Sequence, residues 1–232
     1  MQRLMSVGKT LSMCAQTYGY LSRSRRPGAD LAALKQSWAE EMLSRLGVKV
    51  QITGEISLKP GLLYVGNHIS YLDIPLLMAA APGIAFVAKK EIGDWPLFGD
   101  GARALETIFV QRESAANRGQ ARQTIAASLE QGRRIAVFPA GTTSLNETKS
   151  WRRGAFEIAQ EKNAEIQPFR LRYSPLRTAA FINDDALIPH MSKLMRSQNI
   201  SAQIEFHPPV RVKNAAECCE HWQAWVQEGI HG

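Results

Sequence analysis

Apolar residues recur every three or four positions in the first part of the chain, the spacing of one face of an α-helix. One such stripe comprises Leu4, Val7, Leu11, Cys14, Tyr18 and Leu21, and a second comprises Leu31, Leu34, Trp38, Met42 and Leu46. The Arg26-Pro27-Gly28 sequence between them predicts a break. Residues 1–46 are therefore predicted to form two amphipathic helices joined by a turn.

Basic residues flank the first stripe, namely Arg3, Lys9, Arg23, Arg25 and Arg26. An apolar stripe with basic flanks is typical of a helix that lies on a membrane surface. Packing against the chain's own domain explains the first stripe equally well, and it is the favoured explanation for the second. Residues 1–46 are thus treated as an N-terminal segment that is a candidate for membrane docking.

From residue 48 onward, short runs rich in β-forming residues alternate with helical patterns. The predicted strands are 62–66, 84–88, 107–110, 135–138, 165–173 and 202–212, and the predicted helices are 115–130, 152–162, 187–197 and 215–227. This alternation predicts an α/β fold, with a mixed, largely parallel sheet covered by helices. Residues 47–232 are assigned to this one domain, and ligands are expected where its strands end in loops.

The composition of the 232-residue chain fits one globular domain, with 45% hydrophobic and 21% charged residues. Its three cysteines, Cys14, Cys218 and Cys219, form neither a disulfide framework nor a zinc pattern. The histidines His190, His207, His221 and His231 have no metal-ligand spacing. No metal is expected, and a reducing compartment is favoured.

Basic residues exceed acidic ones by 28 − 21 = 7, which points to an anionic partner such as nucleic acid, a lipid surface or an acidic carrier protein. No nucleic-acid-binding motif is present, so nucleic acid is set aside. The longest charge-free stretch, 74–88, is too short to cross a bilayer and is broken by prolines. The N-terminus lacks the pattern of a secretory signal, and the cytoplasm is the expected location.

His68 precedes Asp73 by five residues, directly after the predicted strand 62–66. Five residues of continuous helix turn through about 500°, roughly 140° away from alignment, so the two side chains meet only if His68 lies in a loop before the helix. Either Ser70 or Asp73 itself is suited to cap that helix. A carboxylate bonded to one imidazole nitrogen leaves the other free to accept a proton from a hydroxyl.

Further sequence blocks follow this pair in a fixed order. Asn67-His68-x-x-x-x-Asp73 is followed by Glu106-Thr107-Ile108-Phe109-Val110-Gln111-Arg112, then by Phe138-Pro139-Ala140-Gly141-Thr142-Thr143-Ser144 and by Ile166-Gln167-Pro168-Phe169. In order and spacing the chain resembles the glycerolipid acyltransferases, the family of bacterial lysophosphatidic acid acyltransferase. The resemblance extends over about residues 35–212 and also includes Ala88-Lys89-Lys90-Glu91 and Arg152-Arg153-Gly154-Ala155-Phe156.

The resemblance implies transfer of an acyl group from a thioester to the hydroxyl of a lysolipid, with His68 as general base and Asp73 as its orienting partner. The negative charge that develops on the thioester carbonyl needs hydrogen-bond donors, and Gly141, Thr142 and Thr143 are the candidates. Three further residues are expected to bind substrate: Asn67, Lys89 and Arg112.

No cofactor is implied beyond the co-substrate itself, an acyl-CoA or an acyl carrier protein thioester. The expected partners are this donor, the lysolipid acceptor and an anionic membrane surface. The resemblance, taken with the basic first helix, implies a peripheral protein at the cytoplasmic face of the inner membrane.

The chain departs from the family pattern in the third block, where Ala140 replaces the usual Glu and Thr143 replaces a frequent Arg. In the second block, Glu106 replaces Gly and Gln111 replaces Asp. Loss of the Arg disfavours a phosphate monoester as the acceptor head group. Members with Thr-Thr-Ser resemble enzymes that act on lysophospholipids or lyso-ornithine lipid, as does the Leu187-Ile188-Pro189-His190-Met191 sequence. The alternative is a protein that keeps the fold and binds lipid or acyl carrier but has weakened or lost catalysis.

Overall fold

The computed structural model of the chain describes residues 2–94, 98–111, 114–197 and 199–230. Side-chain positions are described from residue 12 onward, apart from those of residues 92, 98 and 115. The predicted site residue Arg112 lies outside the described residues.

Eight strands form one sheet: β1 (Val48–Thr53), β2 (Leu63–Gly66), β3 (Ala85–Lys89), β4 (Ile108–Val110), β5 (Ile135–Val137), β6 (Glu165–Ser174), β7 (Ile200–Phe206) and β8 (Val210–Arg211). Seven follow the order β1-β7-β6-β2-β5-β3-β4, and β8 pairs with β6. All neighbours run parallel except β6–β7 and β6–β8. The predicted mixed, largely parallel sheet is confirmed.

The helices in the described part of the chain are α1 (Gln2–Ser24), α2 (Leu31–Arg45), α3 (Asp73–Ala80), α4 (Phe98–Ala104), α5 (Ala115–Glu130), α6 (Gly154–Glu161), α7 (Leu176–Ala179), α8 (Leu187–Arg196) and α9 (Ala215–Ile230), with a 3-10 helix at Lys90–Asp94. The Asp30 side chain accepts a hydrogen bond from the Ala33 N–H and so caps α2. None of these helices is long and apolar enough to cross a bilayer.

The core lies on both faces of the sheet because successive strand residues point in opposite directions. In and just before β2, Leu62 and Tyr64 pack into one cluster, whereas Leu63 and Val65 pack into the other. The first cluster includes residues of α2, α3 and α8, and the second includes residues of α5, α6 and α9. This two-sided coverage explains why β2 is buried along its whole length.

The strands differ from the predicted ones at two places, and the short helices α4 and α7 were not predicted. The predicted strand 202–212 is two strands, β7 and β8, separated by Pro208 and Pro209, which have no N–H to donate to a ladder. The additional strand β1 lies at the edge of the sheet, and most of its residues are exposed. Its residues alternate between β-branched and polar side chains, which is a strand pattern, but β1 was not among the predicted strands.

Candidate active site at the carboxyl edge of the sheet

The loop that carries His68 begins where β2 ends. Gly66 is needed there, because a Cβ at this position would lie 2.3 Å from the Phe169 carbonyl oxygen. His68 precedes α3, and its Nδ1 lies 2.6 Å from Oδ2 of Asp73, the first residue of that helix. The spacing of five residues thus brings the two side chains together from a loop and a helix start.

Asp73 is fully buried, and hydrogen-bond donors surround its carboxylate. Oδ2 accepts from the N–H groups of Ile69 (2.7 Å) and Ser70 (3.0 Å), and Oδ1 accepts from the Tyr173 hydroxyl (2.6 Å). Burial, together with the neighbouring Asp73, raises the pKa of Tyr173 well above its usual value, so the phenol remains a donor. The Ser70 hydroxyl also accepts from the Leu72 N–H at 3.3 Å, so Ser70 caps the turn that leads into α3 and Asp73 stands three positions on, which is the first of the two predicted capping arrangements.

The His68 ring packs against an aromatic side chain and is partly exposed to a cavity. It stacks on Phe138 with ring centroids 4.0 Å apart, and 21% of its side chain is exposed. Because Nδ1 faces Asp73, Nε2 is the nitrogen left to meet a substrate. The ring lines a cavity of about 590 Å³.

This cavity lies between the N-terminal helices and the loops at the carboxyl edge of the sheet. Its walls are predominantly apolar, and they include every residue of the second stripe, namely Leu31, Leu34, Trp38, Met42 and Leu46. Helix α1 contributes Met13, Thr17 and Tyr20, and α8 contributes Leu187, Met191 and Leu194. The second stripe therefore faces this cavity.

The loop after β5 contributes Gly141, Thr142 and Thr143 to the same cavity. Gly141 has φ +71° and its N–H donates to the Phe138 carbonyl at 3.0 Å, which makes a tight turn. The N–H groups of Thr142 and Thr143 make no hydrogen bond to another described residue. They are thus available to an anionic oxygen in the cavity.

Lys89 and Asn67, two other predicted site residues, differ in their exposure. Lys89 is exposed at the end of β3 and lines the cavity. Asn67 is fully buried: its amide donates to the Leu171 carbonyl at 2.9 Å and accepts from the Leu171 N–H at 2.7 Å. It is placed to join the end of β2 to β6 rather than to touch a ligand.

Two residues near His68 were missed by the sequence analysis. Tyr173 lies 100 positions after Asp73 and reaches it only because β6 lies beside β2. Glu147 is fully buried beside the His68 backbone. The sequence contains no spacing signal for either, because each contact depends on how distant strands and loops meet.

The comparisons with known proteins agree with this geometry. A family model described as Acyltransferase matches residues 47–172. A lyso-ornithine lipid O-acyltransferase from Pseudomonas aeruginosa is 35% identical over 221 residues, which cover 90% of this chain and 84% of the relative. The chain belongs to the acyltransferase family. It is therefore an acyltransferase, as the sequence blocks predicted.

One further relative and one solved structure are also similar to this chain. A 1-acyl-sn-glycerol-3-phosphate acyltransferase from Neisseria gonorrhoeae is 28% identical over 162 residues, 68% of this chain and 62% of the relative. The crystal structure of the 1-acyl-sn-glycerophosphate acyltransferase PlsC from Thermotoga maritima has a TM-score of 0.69 at 19% identity. The structural match covers 99% of this chain and 96% of the Thermotoga maritima chain. The last comparison shows a shared fold.

Proposed function

We propose that this acyltransferase moves a fatty acyl group from an acyl-CoA or acyl carrier protein thioester to the hydroxyl of a lysolipid. His68 acts as the general base and Asp73 orients it. The observation that carries the proposal is a histidine ring, held by a buried carboxylate, that opens onto an apolar cavity. Such a cavity suits an acyl chain because apolar walls bind apolar chains by excluding water.

The reaction follows from the positions of these groups. Nε2 of His68 takes the proton of the acceptor hydroxyl while the hydroxyl oxygen attacks the thioester carbonyl carbon. The Thr142 and Thr143 N–H groups stabilise the resulting oxyanion. The carbon–sulfur bond then breaks. His68 returns the proton to the leaving sulfur, which departs as a thiol. No covalent intermediate on the protein is required.

Lyso-ornithine lipid is the acceptor that we favour. The Pseudomonas aeruginosa relative carries that activity in its name. Thr143 stands where a family arginine would pair with a phosphate monoester, so a phosphate head group lacks its bidentate partner here. Lys89, exposed at the rim of the cavity, remains to attract a carboxylate, and Arg112 is proposed to assist it.

We also propose that the enzyme works as a peripheral protein on the cytoplasmic face of the inner membrane. Tyr18 on α1 is 69% exposed, while other residues of α1 line the cavity. Arg25 and Arg26, directly after α1, are exposed and can face anionic lipid. Helix α1 would thus contact lipid on one side and the bound acyl chain on the other.

The test is a panel of purified reactions. Labelled acyl-CoA and acyl carrier protein thioester are each incubated with lyso-ornithine lipid, lysophosphatidate and other lysophospholipids. We expect an acylated product with lyso-ornithine lipid at a rate at least about tenfold above lysophosphatidate, the discrimination expected for a lost charged contact. Binding without product in every combination would instead support an inactive lipid- or carrier-binding protein and would overturn the proposal.

A further inference from the structure

The backbone of His68 is held from both sides by the loop that follows β5. On one side, the Ser144 N–H donates to the His68 carbonyl at 2.8 Å. On the other, the His68 N–H donates to Oε1 of Glu147 at 3.3 Å. One loop therefore carries both these two contacts and the residues Thr142 and Thr143, which line the cavity.

The Glu147 side chain is fully buried, and each of its hydrogen-bond partners is a donor. Oε1 also accepts from the Ser144 hydroxyl at 2.9 Å, and Oε2 accepts from the Trp151 indole N–H at 2.8 Å. Only an acceptor-only group satisfies this set, because the NH₂ of a glutamine would face another donor. Burial raises the pKa of Glu147, so the charge has an energetic cost that these donors offset.

The backbone of Glu147 is fixed from a third direction. Its carbonyl oxygen accepts hydrogen bonds from the Gln223 and Gln227 side chains of α9, at 3.1 and 2.9 Å. Glu147 itself has φ +48°, a left-handed conformation that is unfavourable for a residue with a side chain. Glu147 thus combines a buried carboxylate and a left-handed backbone with a direct contact to the His68 N–H.

We propose that Glu147 is a positioning residue for acyl transfer: its carboxylate fixes the His68 peptide to the 141–147 loop and so sets the distance between the base and the oxyanion donors. This inference rests on the proposed function. The loop that has Ala140 in place of the family's glutamate thus still places one carboxylate beside the histidine, seven residues further along. A misplacement of about 1 Å between base and donors is enough to reduce a rate 10²-fold.

The experiment compares Glu147→Gln, Trp151→Phe and the double variant, with Glu157→Gln on the surface of α6 as the matched control. In Glu147→Gln the new NH₂ faces the Trp151 N–H, and we expect kcat to fall by about 10- to 100-fold with both KM values within about threefold. The double variant removes the opposing donor and should recover to within about fivefold of Trp151→Phe. The control should retain its kcat.

Three results of the kinetic and folding comparison would overturn the proposal. The first is an unchanged kcat in folded Glu147→Gln, and the second is a change in KM without a change in kcat. The third is unfolding of both Glu147 variants, which would make Glu147 a structural residue. Amide exchange of ¹⁵N-labelled protein provides a readout without turnover. The His68 N–H should lose at least about tenfold protection in Glu147→Gln and regain it in the double variant, while β5 amides do not change. If the unmodified enzyme acylates no acceptor, the proposed function fails. Unchanged His68 exchange in Glu147→Gln separately overturns the positioning role of Glu147.

Discussion

Asp73 shows how one side chain connects the loop before α3 to a strand that is distant in sequence. Its Oδ2 is hydrogen-bonded to the His68 ring and to two loop amides, and its Oδ1 accepts a hydrogen bond from the Tyr173 hydroxyl on β6. Because the carboxylate is fully buried, each of these donors offsets part of the cost of its charge. The orientation of His68 therefore depends on a tyrosine that no local motif contains.

Tyr173→Phe tests this dependence. Removal of the hydroxyl leaves Oδ1 of Asp73 without its donor, which we expect to lower the free energy of unfolding by about 1–3 kcal/mol. The carboxylate also loses one of its fixed positions, so kcat should fall by about tenfold. Urea denaturation and steady-state kinetics measure the two effects.

Tyr64→Phe is the matched control for that variant. Tyr64 is also a buried tyrosine, and its hydroxyl donates to the Ser57 carbonyl at 2.6 Å, away from the cavity. It should lose comparable stability, about 1–3 kcal/mol, with kcat within about twofold of the unmodified enzyme. Equal losses of kcat in both variants would show that Tyr173 acts only through general stability.

At the scale of elements, α1 and α2 complete the cavity that the sheet and its loops leave open. The second stripe lines this cavity in full. On α1, Met13 is buried and Thr17 faces the cavity, whereas Tyr18 of the first stripe is exposed. Because Cys14 and Leu21 of the same stripe line the cavity, the inward face of α1 overlaps the predicted stripe in part, and the side that carries Tyr18 is exposed.

Membrane docking by α1 predicts salt-sensitive binding to anionic vesicles. The protein should sediment with phosphatidylcholine vesicles that contain phosphatidylglycerol at about 0.05 M salt, and much less at about 0.5 M. A triple glutamine variant of Arg23, Arg25 and Arg26 should bind at least about tenfold more weakly, because each basic residue contributes about 1 kcal/mol. The charge-matched control replaces Lys49, Lys59 and Lys213 with glutamine. Equal weakening in both triple variants would indicate general attraction by net charge instead of docking by α1.

At the scale of the whole molecule, the sequence predicts most of what lies along the chain and little of what crosses it. The core strands, α5 and the position of His68 in a loop before α3 follow from periodicity and spacing. The order of the strands and the contacts of Tyr173 and Glu147 do not, because they arise where segments far apart in sequence pack together. The split between β7 and β8 was missed although the Pro208-Pro209 pair signals it locally. Asn67 illustrates the limit: it lies in the right motif, but its amide pairs with β6.

The same scale explains why the site lies where it does. Strands β2, β3 and β5 run parallel, so their carboxyl ends bring the His68 loop, Lys89 and the Gly141–Thr143 turn to one edge. Helices α1 and α2 add apolar walls to the cavity at that edge. Acyl transfer needs these features together, since water competes with the lysolipid hydroxyl for the thioester.

The most direct test compares the acyl-transfer rates of the unmodified enzyme and His68→Ala, with labelled thioester and lyso-ornithine lipid, at equal concentrations of folded protein. Loss of the base should lower the rate by about 10²- to 10⁴-fold, while circular dichroism and the unfolding midpoint remain close to those of the unmodified enzyme. A folded His68→Ala protein that retains more than about a tenth of the rate would contradict the account, because a general base contributes at least about 10²-fold.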